Sequence, residues 1–331
     1  MPTLHDQHNR SIDYLRISIT DHCNLKCHYC VPFDGRPKLP MADILTYEEL
    51  FAVAKAAVAA GVTKIRLTGG EPLMRKNMLE FCRMLATLPA IKDLSLTTNG
   101  ILLESMAADL KAAGVNRVNV SLDTLDRERY ARITGKDALD KVLRGIQKAA
   151  DAGLAPIKIN VVPMRGINAD EIVDLARWTL TTPYDIRFIE LMPTSGWARQ
   201  RHDSLFIGID DVRREVETIG PLEMIPQIQT RGPATYARLP DAQGRIGFIA
   251  ALSHHFCSTC NRLRLTADGK LRACLFAEDE VNIRAPLRQG ASMEKLQQII
   301  QSTVATKPKG HTLNDADAKP VNGRIMQAIG G

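Results

Sequence analysis

Tyr14-Leu15-Arg16-Ile17-Ser18-Ile19, running at once into Thr20-Asp21-His22-Cys23-Asn24-Leu25-Lys26-Cys27-His28-Tyr29-Cys30, is the stretch whose reading decides the fold. Its first six residues are an apolar run with one interrupting cation, the texture of a strand covered on both faces. Five further runs read alike, at 64–68, 93–97, 117–122, 157–162 and 186–191. Between them apolar residues recur at helical spacing over 47–60, 77–88, 102–113, 138–152 and 169–180. Thr46 with Glu49 makes a capping box for the first of these helices. Strands separated by helices, without hairpin signals, imply parallel pairing through helical crossovers. The sequence therefore predicts an α/β fold, and the number of units favours a partial (β/α) barrel over an open sheet. In either case binding loops gather at the C-terminal strand ends. The unusual residues fall there: the cysteine loop, Gly69-Gly70-Glu71-Pro72, Thr98-Asn99-Gly100, Ser121 with Asp123, Pro163, and Met192.

After Gly220 prolines and glycines become frequent and the β-like pieces are short (245–250 and 263–266). The expected division is 1–220 as the barrel and 221–331 as a smaller domain packed on it. The formal charge is 43 − 37 = +6, which suits an anionic substrate but lacks the dense basic stripe of a nucleic-acid binder. No apolar run approaches the roughly 18 residues a membrane span needs, and residues 1–10 carry no apolar signal-peptide core. No membrane and no nucleic acid are expected, and the expected compartment is cytoplasmic.

The seven cysteines fall into two sets of three, with Cys82 left over as a core residue. An odd number without a secretion signal argues against a disulfide framework. Cys23, Cys27 and Cys30, spaced C-x3-C-x2-C, can ligate three corners of a cubane 4Fe–4S cluster and leave one iron open to a small molecule. The plainer reading is a zinc knuckle completed by His22 or His28. The loop's place at a strand end, Tyr29 before Cys30 and the Gly-Gly turn favour the cluster. Cys257, Cys260 and Cys274 repeat the three-thiolate arithmetic. His254 or His255 would complete a zinc ribbon there; a second cluster is the preferred reading.

Arg262 and Arg264 share a face if their segment is a strand, and two guanidiniums side by side can clamp phosphates. Arg16, Arg66 and Lys158 interrupt strands that should be apolar, and a buried charge needs a partner. With Lys64 and Arg187 they would converge on a barrel lumen and hold a polyphosphate, or else pair with carboxylates such as Glu71 and Glu190.

Taken together, Cys23-Asn24-Leu25-Lys26-Cys27-His28-Tyr29-Cys30, Arg66-Leu67-Thr68-Gly69-Gly70-Glu71-Pro72-Leu73, Thr97-Thr98-Asn99-Gly100, Ser121-Leu122-Asp123 and Cys257-x2-Cys260-Asn261-Arg262-Leu263-Arg264 resemble the GTP 3′,8-cyclase family of molybdenum-cofactor biosynthesis, within the radical S-adenosylmethionine (SAM) superfamily. The resemblance runs over nearly the whole chain, in order. It implies a partial barrel of the radical SAM type whose smaller C-terminal domain carries a second cluster. The six cysteines would be the metal ligands, in two 4Fe–4S clusters. Tyr29, Gly70, Ser121 and Met192 would contact SAM. Arg16, Arg66, Thr97, Lys158, Arg262 and Arg264 would contact GTP, joined by Lys64 and Arg187, with the guanine base on the open iron of the second cluster. The terminal Gly330-Gly331 would reach into the active site. The implied reaction takes hydrogen from the ribose 3′ carbon of GTP and joins that carbon to carbon 8 of guanine, giving 3′,8-cyclo-7,8-dihydro-GTP. The implied partners are an electron-donor protein, a second copy in a homodimer and a downstream pterin-forming enzyme. A radical SAM enzyme acting on a peptide or a tRNA is the competing reading.

Overall fold

The computed structural model describes residues 3–30, 39–226, 232–277, 279–311 and 313; Gly330 and Gly331 lie outside them. All six apolar runs form strands: β1 (Tyr14–Ser18), β2 (Lys64–Thr68), β3 (Asp93–Thr98), β4 (Arg117–Ser121), β5 (Lys158–Val161) and β6 (Asp185–Ile189). The expected helices follow as Tyr47–Ala59, Met78–Ala86, Leu103–Ala112, Leu139–Asp151 and Ile172–Thr181. The capping box forms as read: Thr46 Oγ1 accepts from the Glu49 amide (3.2 Å), and the Glu49 carboxylate accepts from the Thr46 amide (2.8 Å).

Helices at Arg127–Thr134, Gly196–Leu205, Ile209–Glu217 and Met293–Ala305 were not anticipated. The first two are charge-rich and bury few apolar side chains, so periodicity is a thin signal in them. Three of the four begin on a side-chain cap: Asp126 accepts from the Arg129 amide (2.6 Å), Ser195 from Ala198 (3.1 Å) and Ser292 from Lys295 (3.3 Å).

The strands of the C-terminal region are β7 (Glu223–Ile225), β8 (Thr235–Arg238), β9 (Arg245–Ile249), β10 (Arg262–Leu265), β11 (Lys270–Arg272) and β12 (Val281–Asn282). They extend both edges of the sheet formed by β1 to β6, in the order 12-11-10-1-2-3-4-5-6-9-8-7. β10 pairs parallel with β1 and β9 pairs parallel with β6, while the outer strands are antiparallel. In a flat sheet β1 and β6 would stand about 24 Å apart at the usual strand spacing. Side chains from all six strands, from Tyr14 and Arg16 on β1 to Arg187 on β6, nevertheless line one cavity. The sheet is therefore curled into a partial barrel around a cavity of about 670 Å³.

Strand alternation sorts the faces. Leu15, Ile17, Ile65, Leu67, Val118 and Val120 are fully buried in the main core, leaving Arg16, Arg66 and Asn119 to point the other way. Cys82 is buried in the core as expected, its thiol pushed up to about 12 by burial. Among the described residues no helix is long and apolar enough to cross a membrane.

Glu190, just past β6, is wholly buried and accepts from the amides of Ile209 (2.9 Å), Leu252 (2.7 Å) and Ser253 (3.0 Å) and from the Ser253 hydroxyl. It ties β6 to the segments after residue 208 and after β9. Glu190→Ala strands these buried donors and should cost about 3 kcal/mol of stability, read as the shift in urea unfolding. A loss under about 1 kcal/mol, the worth of an ordinary hydrogen bond, would contradict this role.

Candidate active site

The first triad sits on the loop leaving β1. That loop is pinned from two sides. The Lys26 and His28 amides donate to the carbonyls of Thr134 (2.8 Å) and Ile133 (3.2 Å), on the unanticipated helix Arg127–Thr134. On the other side the Gly70 amide donates to the Thr20 carbonyl (2.8 Å) and the Glu71 amide to the His22 carbonyl (2.7 Å). A Cβ at Gly70 would lie 2.2 Å from the His22 oxygen and 2.9 Å from that of Asp21. The glycine is thus required by the backbone of the cysteine loop, in addition to facing the cavity as expected.

Glu71 supports the same loop. It is wholly buried, with its pKa pushed up to about 7 by burial against the opposing pull of its hydrogen bonds from Asn99, Thr98 and Leu73. Its oxygens accept from Thr98 Oγ1 (2.8 Å), the Leu73 amide (3.0 Å) and the Asn99 amide (2.7 Å). Asn99 Nδ2 in turn reaches Asn24 Oδ1 (2.7 Å) and Cys23 Sγ (3.7 Å). Tyr29 Oη donates to Asp123 Oδ2 (2.6 Å), and Asp123 Oδ1 accepts from the Val162 amide (2.8 Å). Burial pushes Asp123 up to about 6 against those two bonds. Burial raises the Cys27 thiol well above its ordinary value, and the neighbouring Cys30, Asp123 and Cys23 add to it.

The second triad lies beyond the other edge of β1. Burial raises Cys257, with Cys274 and Cys260 adding to it. For Cys260 burial acts upward as well, but Lys307, Arg262 and Arg264 outweigh it and the thiol is lowered. Among the described residues no three His, Cys, Asp or Glu side chains gather tightly enough to hold one metal ion; a cubane instead takes its thiolates at separate corners. His254 points elsewhere, with Nε2 2.8 Å from the Asp210 carboxylate. Two sets of three mutually interacting thiols, each open to one cavity, fit such clusters in donor type and number.

Between the triads the strand register lines up cations. Arg264, Arg16 and Arg66 are direct neighbours across β10, β1 and β2, and Arg262 and Lys64 flank Tyr14 one step below. Burial lowers Arg16 well below its ordinary value, with Arg264 adding to it, and brings Arg66 to about 9 and Arg264 to about 10. Several neighbours carry carboxylate partners: Lys64 with Asp13 (2.9 Å), Arg117 with Asp93, and Arg245 with Asp185 (2.7 Å). Arg66 and Arg187 hydrogen-bond neutral groups instead, Ser95 Oγ (3.3 Å) and Asn160 Oδ1. Gly247 leaves room for Arg187, whose Cγ would be 2.9 Å from a Cβ there. Among the described residues Tyr14 Oη and Arg187 Nε, both buried, meet no hydrogen-bond partner, as atoms that serve an anionic ligand would. Glu71 and Glu190, offered by the sequence as possible counterions, hold backbone amides instead.

Every candidate residue outside Gly330 and Gly331 lines this single cavity: the six cysteines, Tyr29, Gly70, Ser121, Met192, Arg16, Lys64, Arg66, Thr97, Lys158, Arg187, Arg262 and Arg264. The sequence reading missed Arg117, Asn160, Tyr236 and Arg245, which line it too. Arg117 and Arg245 open their strands, and a cation at a strand end reads as solvent-facing. Lys158 Nζ reaches Tyr236 Oη (3.1 Å), and the Arg245 guanidinium lies 4.9 Å from the Tyr236 ring centre.

Comparison with known proteins shows the family. The Radical SAM superfamily matches residues 17–179, and the family Molybdenum Cofactor Synthesis C matches residues 184–313. A GTP 3′,8-cyclase of Moorella thermoacetica is 46% identical over 99% of this chain and 100% of its own length. One of Pelotomaculum thermopropionicum is 48% identical over 99% of this chain and 100% of its own. The crystal structure of Streptococcus suis SuiB bound to S-adenosylmethionine is similar in fold, with a TM-score of 0.61 at 17% identity over 97% of this chain and 79% of that one. Matched in order along both parts, and close to half identical to full-length relatives, the chain belongs to the GTP 3′,8-cyclase family of the radical SAM superfamily.

Proposed function

We propose that this protein cyclises GTP to 3′,8-cyclo-7,8-dihydro-GTP, with the first triad holding the cluster that binds SAM and the second holding another that meets the guanine base. The observation that carries the reading is one cavity shared by two cysteine triads with a register of buried cations between them. When bound, the first cluster and SAM supply a 5′-deoxyadenosyl radical. In the substrate the C3′–H bond would break with its hydrogen leaving on the deoxyadenosyl carbon, and the C3′–C8 bond would form as the C8=N7 π bond opens. One electron from the donor protein (dithionite in vitro) with one proton at N7 would complete the dihydro product.

The chain's own work is to bind, orient and exclude water. Tyr29, Gly70, Ser121 and Met192 form the SAM end. Arg16, Arg66, Thr97, Arg262 and Arg264, with Lys64, Lys158 and Arg187, form the GTP end. GTP brings about four negative charges, so desolvated cations offset the cost of moving it out of water. Holding ribose and the deoxyadenosyl carbon about 3–3.5 Å apart is the kinetic contribution of such a site. Gly330 and Gly331 complete the site in this proposal. An electron-donor protein, a homodimer and a downstream pterin-forming enzyme complete its setting. Anaerobic incubation with SAM, dithionite and GTP should yield 5′-deoxyadenosine and a GTP isomer separable by chromatography; SAM cleavage with GTP recovered intact would sink the reading.

Lys158 gives a pH signature. Burial first, then Arg187 and Arg117, lower its pKa to about 7. Anion binding returns the ammonium towards its ordinary value near 10.5, so between those two values binding takes up a proton. At pH 8 calorimetry in buffers of different ionisation enthalpy should report an uptake of roughly 0.9 proton, vanishing in Lys158→Met. Buffer-independent heats would refute the assignment.

A further inference from the structure

Three segments remote in the chain meet beside the second triad, and two buried cations fasten them. Arg10, 8% exposed, donates from Nε to Asp6 Oδ2 (2.6 Å), from Nη1 to the carbonyls of Cys257 (2.6 Å) and Lys309 (3.0 Å), and from Nη2 to that of Pro308 (2.6 Å). Asp6 is fixed in turn, its Oδ1 accepting from the amides of His8 (2.9 Å) and Arg10 (3.0 Å). Lys307, 3% exposed, donates from Nζ to the carbonyls of Arg262 (2.8 Å) and Ala273, while Gln7 Nε2 donates to the Lys307 carbonyl (3.2 Å). His311 closes the segment with Nε2 2.8 Å from the Ala251 carbonyl and its ring against His255.

The contacts share a pattern. Arg10 holds the carbonyl of Cys257 itself. Lys307 holds the carbonyl two residues past Cys260 and the carbonyl immediately before Cys274. Each arm of the triad is thereby fastened to a buried cation. A buried ammonium needs partners for its protons, and Lys307 finds them in the two carbonyls that flank these cysteines.

We propose that Arg10 and Lys307 form a clasp that straps residues 307–311 along the second triad and fixes the spacing of its arms. They are positioning residues for the metal centre there, and the inference rests on the proposed reading of that triad as a cluster site. The clasp also explains why a side chain near the N-terminus is buried against a segment some 300 positions away in sequence.

The test uses full-length protein, reconstituted anaerobically, as wild type, Arg10→Gln and Lys307→Met. Iron content and amide hydrogen exchange are measured on each. Wild type should hold roughly eight irons and each variant roughly four. Amides of 257–262 and 304–311 should exchange about tenfold faster or more in the variants, while those of β2 and β3 are unchanged. Full iron with wild-type exchange in both variants would overturn the clasp. If Arg10→Gln does not accumulate as folded protein, Arg10→Lys decides: it keeps the charge but cannot span four acceptors, so exchange unchanged from wild type counts against the clasp. Wild type binding only the first triad's iron would refute the cluster reading, and the exchange arm would still decide the clasp.

Discussion

Replacing Arg264 by alanine should lower kcat/KM for GTP by about two to three orders of magnitude while both triads keep their iron. Arg264 is 5% exposed on β10, level with Arg16 on β1, which is level with Arg66 on β2. Burial and the neighbouring Arg262 already press its pKa down to about 10, so the site holds that charge at a cost which an anion relieves. Truncating one member of a buried, hydrogen-bonded charge pair costs about 3–4 kcal/mol, and 1.36 kcal/mol is about tenfold in rate. Arg264→Lys should fall between wild type and alanine, keeping the charge but losing the planar fork. Slow cleavage of SAM without GTP should persist, because the first triad is untouched. Wild-type kinetics with GTP would remove Arg264 from the phosphate site.

Gly70→Ala should reduce SAM cleavage about a hundredfold or more without unfolding the barrel. The added Cβ would lie 2.2 Å from the His22 carbonyl oxygen and 2.9 Å from that of Asp21. Both are backbone atoms of the loop that leads into Cys23, so a flexible side chain cannot absorb the clash. The Gly70–Thr20 and Glu71–His22 hydrogen bonds (2.8 and 2.7 Å) must lengthen, carrying the first triad away from Gly70. A displacement of about 1 Å at a reacting centre is worth about a hundredfold in rate. Retained secondary structure with loss of SAM cleavage is the expected result, read by circular dichroism and by 5′-deoxyadenosine release. A fully active alanine variant would show that this contact does not set the loop.

The parts of the site that were legible in the sequence are those where a residue type conflicts with its surroundings. Arg16, Arg66 and Lys158 stand out because buried strands should be apolar, and each lines the cavity. The two cysteine triads stand out by spacing alone. The partners of Glu71 and Glu190 were not legible, because whether a buried carboxylate meets a guanidinium or a row of amides depends on loop geometry. The pairing of β10 with β1 and of β9 with β6 was hidden too: strands so far apart in sequence leave no local mark of adjacency. That pairing brings Arg262 and Arg264 level with Tyr14 and Arg16, and so assembles the cation register. Arg10 and Lys307 were overlooked for the same reason, since their partners lie far off along the chain.

The most direct test of the central claim, that one cavity presents the ribose of GTP to the SAM-derived radical, is isotope transfer. Reduced, reconstituted enzyme is given SAM and GTP deuterated at the ribose 3′ carbon, and the 5′-deoxyadenosine is weighed by mass spectrometry. The account predicts singly deuterated 5′-deoxyadenosine and a cyclised nucleotide that has lost the label. Unlabelled 5′-deoxyadenosine beside a nucleotide still carrying deuterium would contradict it.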